Sequence, residues 1–200
     1  ALTTDQAGAL RSQQLAALST LQFGYLETSD VAALSTNGLQ GLTTSQIQNL
    51  PTQSLAALNS SQIGSLKTSQ IAAFTTTELS LLDTSQIAGL RASQISALNS
   101  TQIGALNSDD IAALSSTALG GLTTANIAGI SSNQITAFNT DQISSLSTAV
   151  IAGFSTTQID SFNTDQIAAL TTSQILGMST LQISALATDD FAALTTSQVV

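Results

Sequence analysis

The sequence contains no histidine, cysteine or tryptophan, and it has a single proline, a single methionine and a single tyrosine. Without histidine and cysteine the chain cannot form a Ser–His–Asp triad or a Cys–His nucleophile. It also lacks imidazole and thiolate ligands for zinc or haem. No disulfide framework is available to hold the fold together. We therefore expect a protein that is not an enzyme and that has no catalytic residues, metal or cofactor.

Charged residues are also scarce. They make up 8% of the 200 residues, against roughly a quarter in an average soluble domain, and the net charge is −9. The only cations are Arg11, Lys67 and Arg91, which are too few to neutralise phosphates, so nucleic acid is not an expected partner. No apolar run is long enough for a membrane span, and Ala1–Leu10 lacks the basic start and apolar stretch of a signal peptide.

What the sequence does have is an apolar residue at every eighth position from Leu2 to Leu194. All 25 of these positions are apolar and 19 are leucine, and a second apolar column follows five residues later, from Ala7 to Val199. Numbered from its leucine, the octad has the consensus L-[S/T/N]-[S/T]-x-Q-I-[A/G]-[A/G]. Because the register never slips, we predict one continuous array over residues 1–200, without a linker.

The spacing of the two apolar columns alternates between five and three residues. A strand would place such odd spacings on opposite faces, and Ala and Gln are poor strand residues. In one long helix, eight residues turn about 80° beyond two full turns, so the apolar stripe would spiral. A very short helix in each octad fits better, because Ile87 and Leu90 then share one face. The pattern predicts an all-α solenoid of very short helices, one per octad, with a β-solenoid as the alternative.

Two positions compete for the role of helix N-cap. If position 2 is the cap, Gln falls at N3 and closes a capping box, while the flanking Leu and Ile form a hydrophobic staple. If position 3 is the cap, its occupancy is explained, since 24 of 25 residues there can cap against 19 of 25 at position 2. On this count we predict position 3. The residues at position 2 that cap poorly are Arg11, Glu27, Pro51, Lys67, Arg91 and Ala187.

Acidic residues are concentrated at positions 4 and 5, which hold nine of the 12. Those positions fall in the first helical turn, where the helix dipole favours carboxylates. All three bases occupy position 2, which we therefore expect to face solvent. Because one or two turns of helix are unstable alone, the octads must coil into a superhelix. Small residues at positions 7 and 8 would let its turns approach closely, with three or four octads per turn as the candidates.

Octads such as Leu42–Asn49, Phe162–Ala169 and Leu170–Gly177 resemble the octapeptide-repeat arrays (L-T-T-x-Q-I-x-A) of very large secreted or surface proteins of Gram-negative bacteria. Such proteins are labelled adhesin-like, haemolysin-like or haem-utilisation proteins. The resemblance covers the whole chain. It implies export, a secreted or cell-surface location, and an array that serves as a stalk or fibre. The haem label finds no support in the residues, since histidine is absent and Met178 and Tyr25 stand alone at repeat positions.

A few residues could carry chemistry. Asp109–Asp110 and Asp189–Asp190 are the only paired carboxylates; we interpret them as first-turn acids rather than as calcium ligands or an acid/base pair. The glutamines at position 5 could bond between turns or cap locally. The Ser and Thr columns are interpreted as caps, with ice binding or O-linked glycans as alternatives. Tyr25 should project outward or mark a local distortion, and the core should include Phe138, Phe154 and Phe162.

The first and last octads, Leu2–Ala9 and Leu194–Val200, are ordinary repeats without polar caps. The array is thus expected either to be a piece of a longer one or to stack end to end on other copies, which would produce a filament. The sequence predicts a non-catalytic structural protein, an extracellular filament or the stalk of a bacterial surface adhesin. The alternative is a solenoid that binds ice or glycan. Self-association is the main expected partnership, with other surface or matrix components as further candidates.

Overall fold

The computed structural model describes residues 2–199 and confirms the all-α solenoid. Within that range there are 23 α-helices and two 3₁₀ turns, all of six residues or fewer, and no β-strand, so the β-solenoid alternative is wrong. The α-helices span Thr4–Gly8, Ser12–Ala17, Thr20–Gly24, Thr28–Ala33, Thr36–Leu39, Thr44–Gln48, Thr52–Ala56, Ser60–Ser65, Thr68–Ile71, Thr76–Ser80, Thr84–Ala88, Ala92–Ala97, Ser100–Gly104, Ser108–Ala113, Ser116–Leu119, Ser132–Thr136, Thr140–Ser145, Thr148–Gly153, Thr156–Asp160, Thr164–Ala168, Thr172–Gly177, Thr180–Ser184 and Thr188–Ala193. The 3₁₀ turns span Ile127–Gly129 and Thr196–Gln198.

With the exception of Leu122–Gly129, whose 3₁₀ turn begins at Ile127, the octads start their helices at position 3, and position 2 is the N-cap. Asp83, for example, has extended backbone angles (φ −81°, ψ 165°), and its side chain accepts a hydrogen bond from the N–H of Gln86. The prediction that position 3 is the cap is therefore wrong. The count of cap-forming residues at each position misled the prediction, because the side chains at positions 2 and 5 both take part in the cap. Where Arg91 stands at position 2, its backbone N–H still donates to Oε1 of Gln94 at 2.8 Å, so the residue at position 2 need not cap.

The two apolar columns form one core. In the octad that begins at Leu82, that leucine is N′ and Ile87 is N4, the two positions of a hydrophobic staple, and they are 4% and 0% exposed. The buried cluster runs from Ala7 to Met178 along the axis of the solenoid. Burial of both columns in successive octads is what holds such short helices in place, since each one alone is too short to be stable.

Turns of the solenoid stack with a spacing of three to four octads. The helix Thr84–Ala88 packs against Ser60–Ser65 on one side and Ser108–Ala113 on the other, each three octads away. Gln86 in the same helix donates hydrogen bonds to the carbonyl oxygens of Leu55 and Leu58, which lie 31 and 28 residues earlier. One turn of the superhelix therefore takes between three and four octads, within the predicted range.

Small residues at positions 7 and 8 allow the close approach of turns, as predicted. A Cβ atom at Gly129 (position 8) would overlap the backbone of Ser100 (position 3), one turn below. A Cβ atom at Gly104 (position 7) would lie 2.9 Å from the carbonyl oxygen of Gly129 in the turn above. Both glycines are therefore required where they stand.

The aromatic substitutions at position 1 lie in the core, as predicted. Phe138, Phe154 and Phe162 are 3–4% exposed, and the last two rings meet edge to face with their centroids 5.8 Å apart. Nowhere in residues 2–199 does a helix have the length and apolar character needed to cross a membrane.

Candidate functional site

The two acidic pairs lie in first helical turns, in different parts of the solenoid. Asp109–Asp110 is in the helix Ser108–Ala113, and Asp189–Asp190 is in Thr188–Ala193. Asp110 is 1% exposed, and its Oδ2 accepts a hydrogen bond from the N–H of Asn107 at 2.9 Å. In the described range, no three acidic side chains come together in a way that could hold a metal ion. Asp110 thus acts within its own helix start, whereas Oδ1 of Asp190 accepts a hydrogen bond from Oγ1 of Thr164, 26 residues earlier, at 2.9 Å.

Asp110 has an unusual electrostatic position. Burial raises the pKa of this carboxyl above its ordinary value of 3.8, and the neighbouring charge of Asp109 raises it further. The hydrogen bond from the backbone of Asn107 lowers the pKa and opposes both effects. Because burial is the largest cause, Asp110 holds its proton to higher pH than an ordinary aspartate.

The most elaborate polar arrangement in the molecule is the glutamine at position 5. In the octad of Gln86, the backbone N–H of Asp83 donates to Oε1 at 2.9 Å, which closes the capping box. The Nε2 group of the same side chain donates to the carbonyl oxygens of Leu55 and Leu58 at 2.8 and 2.7 Å, one turn below. One buried amide therefore caps its own helix and ties that helix to the preceding turn.

This two-sided arrangement recurs through the solenoid. In most octads that have it, the acceptors are the carbonyl groups of position 6 in one octad and position 1 in the next, while Gln102 and Gln198 bond to position 7 in place of position 6. No side-chain pattern in the sequence marks these carbonyl groups. The sequence predicted that glutamine either bonds between turns or caps locally, and the structure has it do both. Bonds to carbonyl groups 31 and 28 residues earlier are made by Gln46, Gln62, Gln70, Gln86, Gln94, Gln134, Gln142, Gln158, Gln166, Gln174 and Gln182.

Several octads replace this glutamine, and the replacements show what the position requires. Asn126 reaches the equivalent carbonyl groups of Ile95 and Leu98, at 3.2 and 3.5 Å. Glu78 keeps the capping box, with Oε2 accepting from the N–H of Thr75 at 2.7 Å, but a carboxylate has no proton to donate to the turn below. The capping function therefore tolerates a carboxylate, whereas the bond between turns requires an amide.

The hydroxyl columns divide into two groups. At position 2 the side chain accepts from the backbone of N3, as when Oγ of Ser131 accepts from the N–H of Gln134 at 3.3 Å. At position 3 the side chains face outward, and some donate to the next turn, as Oγ1 of Thr172 does to the carbonyl oxygen of Ser197 at 3.1 Å. The first group thus caps helices. Binding of ice or glycan by the second group stays a prediction.

Tyr25 and Met178, the two residues considered for the haem label, lie in different environments. Tyr25 is 76% exposed and projects outward, as predicted, whereas Met178 is 9% exposed and packs in the leucine column. A shallow groove of about 740 Å³ on the side of the solenoid is lined mainly by hydroxyls and small residues, with Arg91 at its edge. Its lining contains no carboxylate, so it offers no general acid or base pair.

Comparison with known families gives one match. The family model for the ALTTAQ repeat matches residues 23–53, 71–108, 79–116, 103–140, 111–148 and 137–172. These overlapping matches cover more than half of the chain. No curated protein matches the sequence.

Proposed function

The chain belongs to the ALTTAQ repeat family, and we propose that it serves outside the bacterial cell as a non-catalytic structural rod, in a filament or in the stalk of a surface adhesin. The single observation that carries this proposal is the two-sided glutamine. Each buried amide of the column links one turn to the next, as Gln86 links its helix to Leu55 and Leu58. A molecule with such links along its length is suited to spanning a distance.

The rod character rests on the regularity of these links. Since each turn contacts only its neighbours, added octads lengthen the solenoid without changing its cross-section. At the usual spacing of about 9 Å between packed helices, roughly seven turns give a rod on the order of 60 Å long. Stability per turn stays constant with length, which is the property that a stalk or filament needs.

The surface chemistry supports a structural role as well. The net charge of −9 disfavours contact with phosphates and keeps parallel rods apart. The buried acids Asp110 and Glu78 are engaged in helix starts, with Asn107 and Thr75 respectively. Hydroxyls at position 2 are occupied by capping bonds, as in Ser131. These carboxylates and hydroxyls thus take part in hydrogen bonds that hold the solenoid together. This supports a function that does not depend on catalysis.

Small-angle X-ray scattering tests the rod. We expect the 200-residue chain at low concentration to have a radius of gyration above the roughly 16 Å of a compact domain of this length. A variant that duplicates residues 82–137, seven whole octads, should be longer by roughly 18 Å at unchanged cross-section. A duplicated variant whose cross-section grows instead of its length would contradict the proposal.

The location is tested on the producing cells. Resemblance to surface proteins of Gram-negative bacteria leads us to expect that antibodies against the array label intact cells, and that added protease removes the signal. Recovery of the protein only from the cytosol after fractionation would overturn an extracellular role while leaving the rod itself intact.

A further inference from the structure

The cations of the chain lie in or beside one continuous groove on the side of the solenoid. The groove of about 740 Å³ at Arg91 meets a second depression of about 410 Å³, which is lined by Lys67. Gln40 lines both depressions, so they are parts of one channel. Ser12 also lines the second depression and directly follows Arg11 in the chain. We call the two depressions together the basic groove.

The packing of successive turns brings Lys67 and Arg91 to the same side of the solenoid. Both residues stand at position 2, directly before the helices Thr68–Ile71 and Ala92–Ala97, which pack against each other in adjacent turns. At the usual spacing of packed helices, the two positions are therefore roughly 9 Å apart along the axis. A Cβ atom at Gly64 would lie 3.7 Å from Nε of Arg91, so the guanidinium group lies over a residue without a side chain.

The basic groove combines positive charge with neutral hydrogen-bonding groups. The side chains of Lys67 and Arg91 are exposed, and neither forms a capping hydrogen bond at its helix start. The lining contains no carboxylate and consists mainly of hydroxyl, amide and small side chains. The amide of Gln40 is held in place because its Nε2 donates to the carbonyl oxygen of Ser65 at 3.1 Å. These groups can all bond to a polar ligand that carries negative charge.

The acids of the chain are concentrated away from this groove, although the net charge is −9. Residues 31–77 contain no Asp or Glu, and Glu78 and Asp83 are the only acids between residues 31 and 108. Glu78 is buried, and Asp83 does not line the groove. Seven of the 12 acids lie in residues 109–190, which contain no cation. A polyanion is therefore attracted to the basic groove and repelled by the second half of the rod.

We propose that the basic groove binds a strand of acidic polysaccharide, with the carboxylate or sulfate groups of its sugars against Lys67 and Arg91. A guanidinium group matches such an anion with two parallel N–H bonds. The hydroxyl and amide groups of the lining can both donate to and accept from sugar hydroxyls. Arg11 lies seven octads before Lys67, about two turns away, so the three cations span on the order of 27 Å. The groove thus accommodates several sugars, and the inference gives the rod a ligand.

The composition of the groove favours a polysaccharide over other polyanions. Nucleic acid binding relies on many phosphate contacts or on aromatic side chains that stack on bases, and the lining has three nearby cations and no aromatic residue. Peptides are bound at an exposed sheet edge or in an apolar groove. The described residues form no strand, and the one large apolar side chain of the lining, Leu42, is buried.

Calorimetric titration of the full chain with oligogalacturonate tests the ligand. The fully methyl-esterified oligosaccharide is the matched control, because it keeps the sugar chain and removes the charge, and we expect it to bind at least about tenfold more weakly. Dextran sulfate tests the other anionic group, and binding of either charged polysaccharide supports the proposal. Inorganic phosphate or polyglutamate bound as tightly as the polysaccharides would overturn it, as would the absence of binding by both charged polysaccharides.

Removing the two charges tests the site. Serine is a natural N-cap in other octads, as at Ser131, so the Lys67→Ser, Arg91→Ser variant keeps the fold. We expect the dissociation constant for the charged oligosaccharide to rise at least about tenfold. A control adds Asn139→Lys and Asn163→Lys to this variant, which restores the net charge at the same octad position but outside the groove. Affinity that is unchanged in the first variant, or restored in the second, would contradict the site.

Filling the groove tests its shape without changing any charge. Ala88 lines the groove at position 7, where Leu176 shows that the fold accepts an exposed leucine. Ala88→Leu should raise the dissociation constant severalfold, whereas Ala168→Leu, at position 7 outside the groove, should leave it within about twofold. Equal effects of the two leucines would overturn binding in the groove. The scattering of the unliganded chain reports independently whether the molecule is a rod, so failure of this inference leaves the proposed function standing.

Discussion

Pro51 and Ser54 occupy the N-cap and N3 positions of one octad, and they replace the two partners of a capping box together. Pro51 has no backbone N–H, so a glutamine at position 54 would have nothing to accept through Oε1. Ser54 is buried, and its Oγ has no hydrogen-bond partner. Both functions of position 5 are therefore missing in this octad: the capping bond is lost with its donor, and no side-chain bond to the turn below is made.

Restoring the glutamine at this position should stabilise the fold. By the register of the other octads, Ser54→Gln would donate to the carbonyl groups of Phe23 and Leu26, and we expect a gain of about 1–2 kcal/mol in the free energy of unfolding. Urea denaturation measures the change. Ser29→Gln, on the outer wall, is the control and should shift stability by less than about 0.5 kcal/mol. A destabilised Ser54→Gln variant would show that this turn is packed differently from its neighbours.

Removing an interior glutamine should cost much more than removing a terminal one. Gln86→Ala deletes two bonds between turns and leaves the carbonyl groups of Leu55 and Leu58 without this donor. We expect a loss of about 2–4 kcal/mol in unfolding free energy. Gln14→Ala removes only the bond from the N–H of Arg11 and should cost about 1 kcal/mol or less. Equal costs for the two variants would mean that capping, not the linkage of turns, is what glutamine contributes.

Stability should depend on the protonation of Asp110. Its pKa is raised in the fold, so between the ordinary value of 3.8 and the raised value the folded state binds more protons than the unfolded chain. Stability contributed by this group is therefore gained as pH falls through that window and lost as pH rises. Asp110→Asn should abolish this dependence and stabilise the protein at pH 7 by about 1 kcal/mol, because Asn126 shows that asparagine can donate from this position.

Unfolding curves at a series of pH values check this expectation. The advantage of the Asp110→Asn variant over the wild type should shrink as the pH approaches 3.8. Asp141→Asn is the matched control, since it removes an exposed first-turn carboxylate from another helix and leaves the surroundings of Asp110 unchanged. An advantage that stays constant from neutral to acidic pH would show that Asp110 does not titrate in the fold.

Substitution by alanine should destabilise the fold at one glycine and be tolerated at another, depending on the space between turns. Gly129→Ala places Cβ against the backbone of Ser100, and we expect a loss of about 1–3 kcal/mol. Gly24→Ala places Cβ 3.7 Å from Cγ of Pro51, an ordinary contact, and should be neutral or stabilise by up to about 1 kcal/mol. Thermal unfolding of the two variants suffices, and a harmless Gly129→Ala would mean that the turns can move apart.

Much of the fold followed from the sequence because the octad repeats local signals. The alternation of five and three residues predicts the short helices and both buried columns, and the placement of acids predicts the first turns. The N-cap was predicted at the wrong position, since counting residue types at one position cannot reveal a cap shared with Gln94 or Gln86 three residues later. No side-chain pattern marks the acceptors on the preceding turn, because they are backbone carbonyl groups that every residue has.

The sequence by itself determined the period, the helical class and the residues of the core, since these depend on spacing within eight residues and on local backbone preferences. Only the tertiary structure decided how far along the chain each turn finds its neighbour. That distance follows from the packing of Leu and Ile side chains and from the contact of positions 7 and 8 with the backbone, as at Gly129 and Ser100. It brings Gln86 over Leu55 and Leu58. From the sequence this amide could either cap its helix or bond between turns, and in the fold it does both.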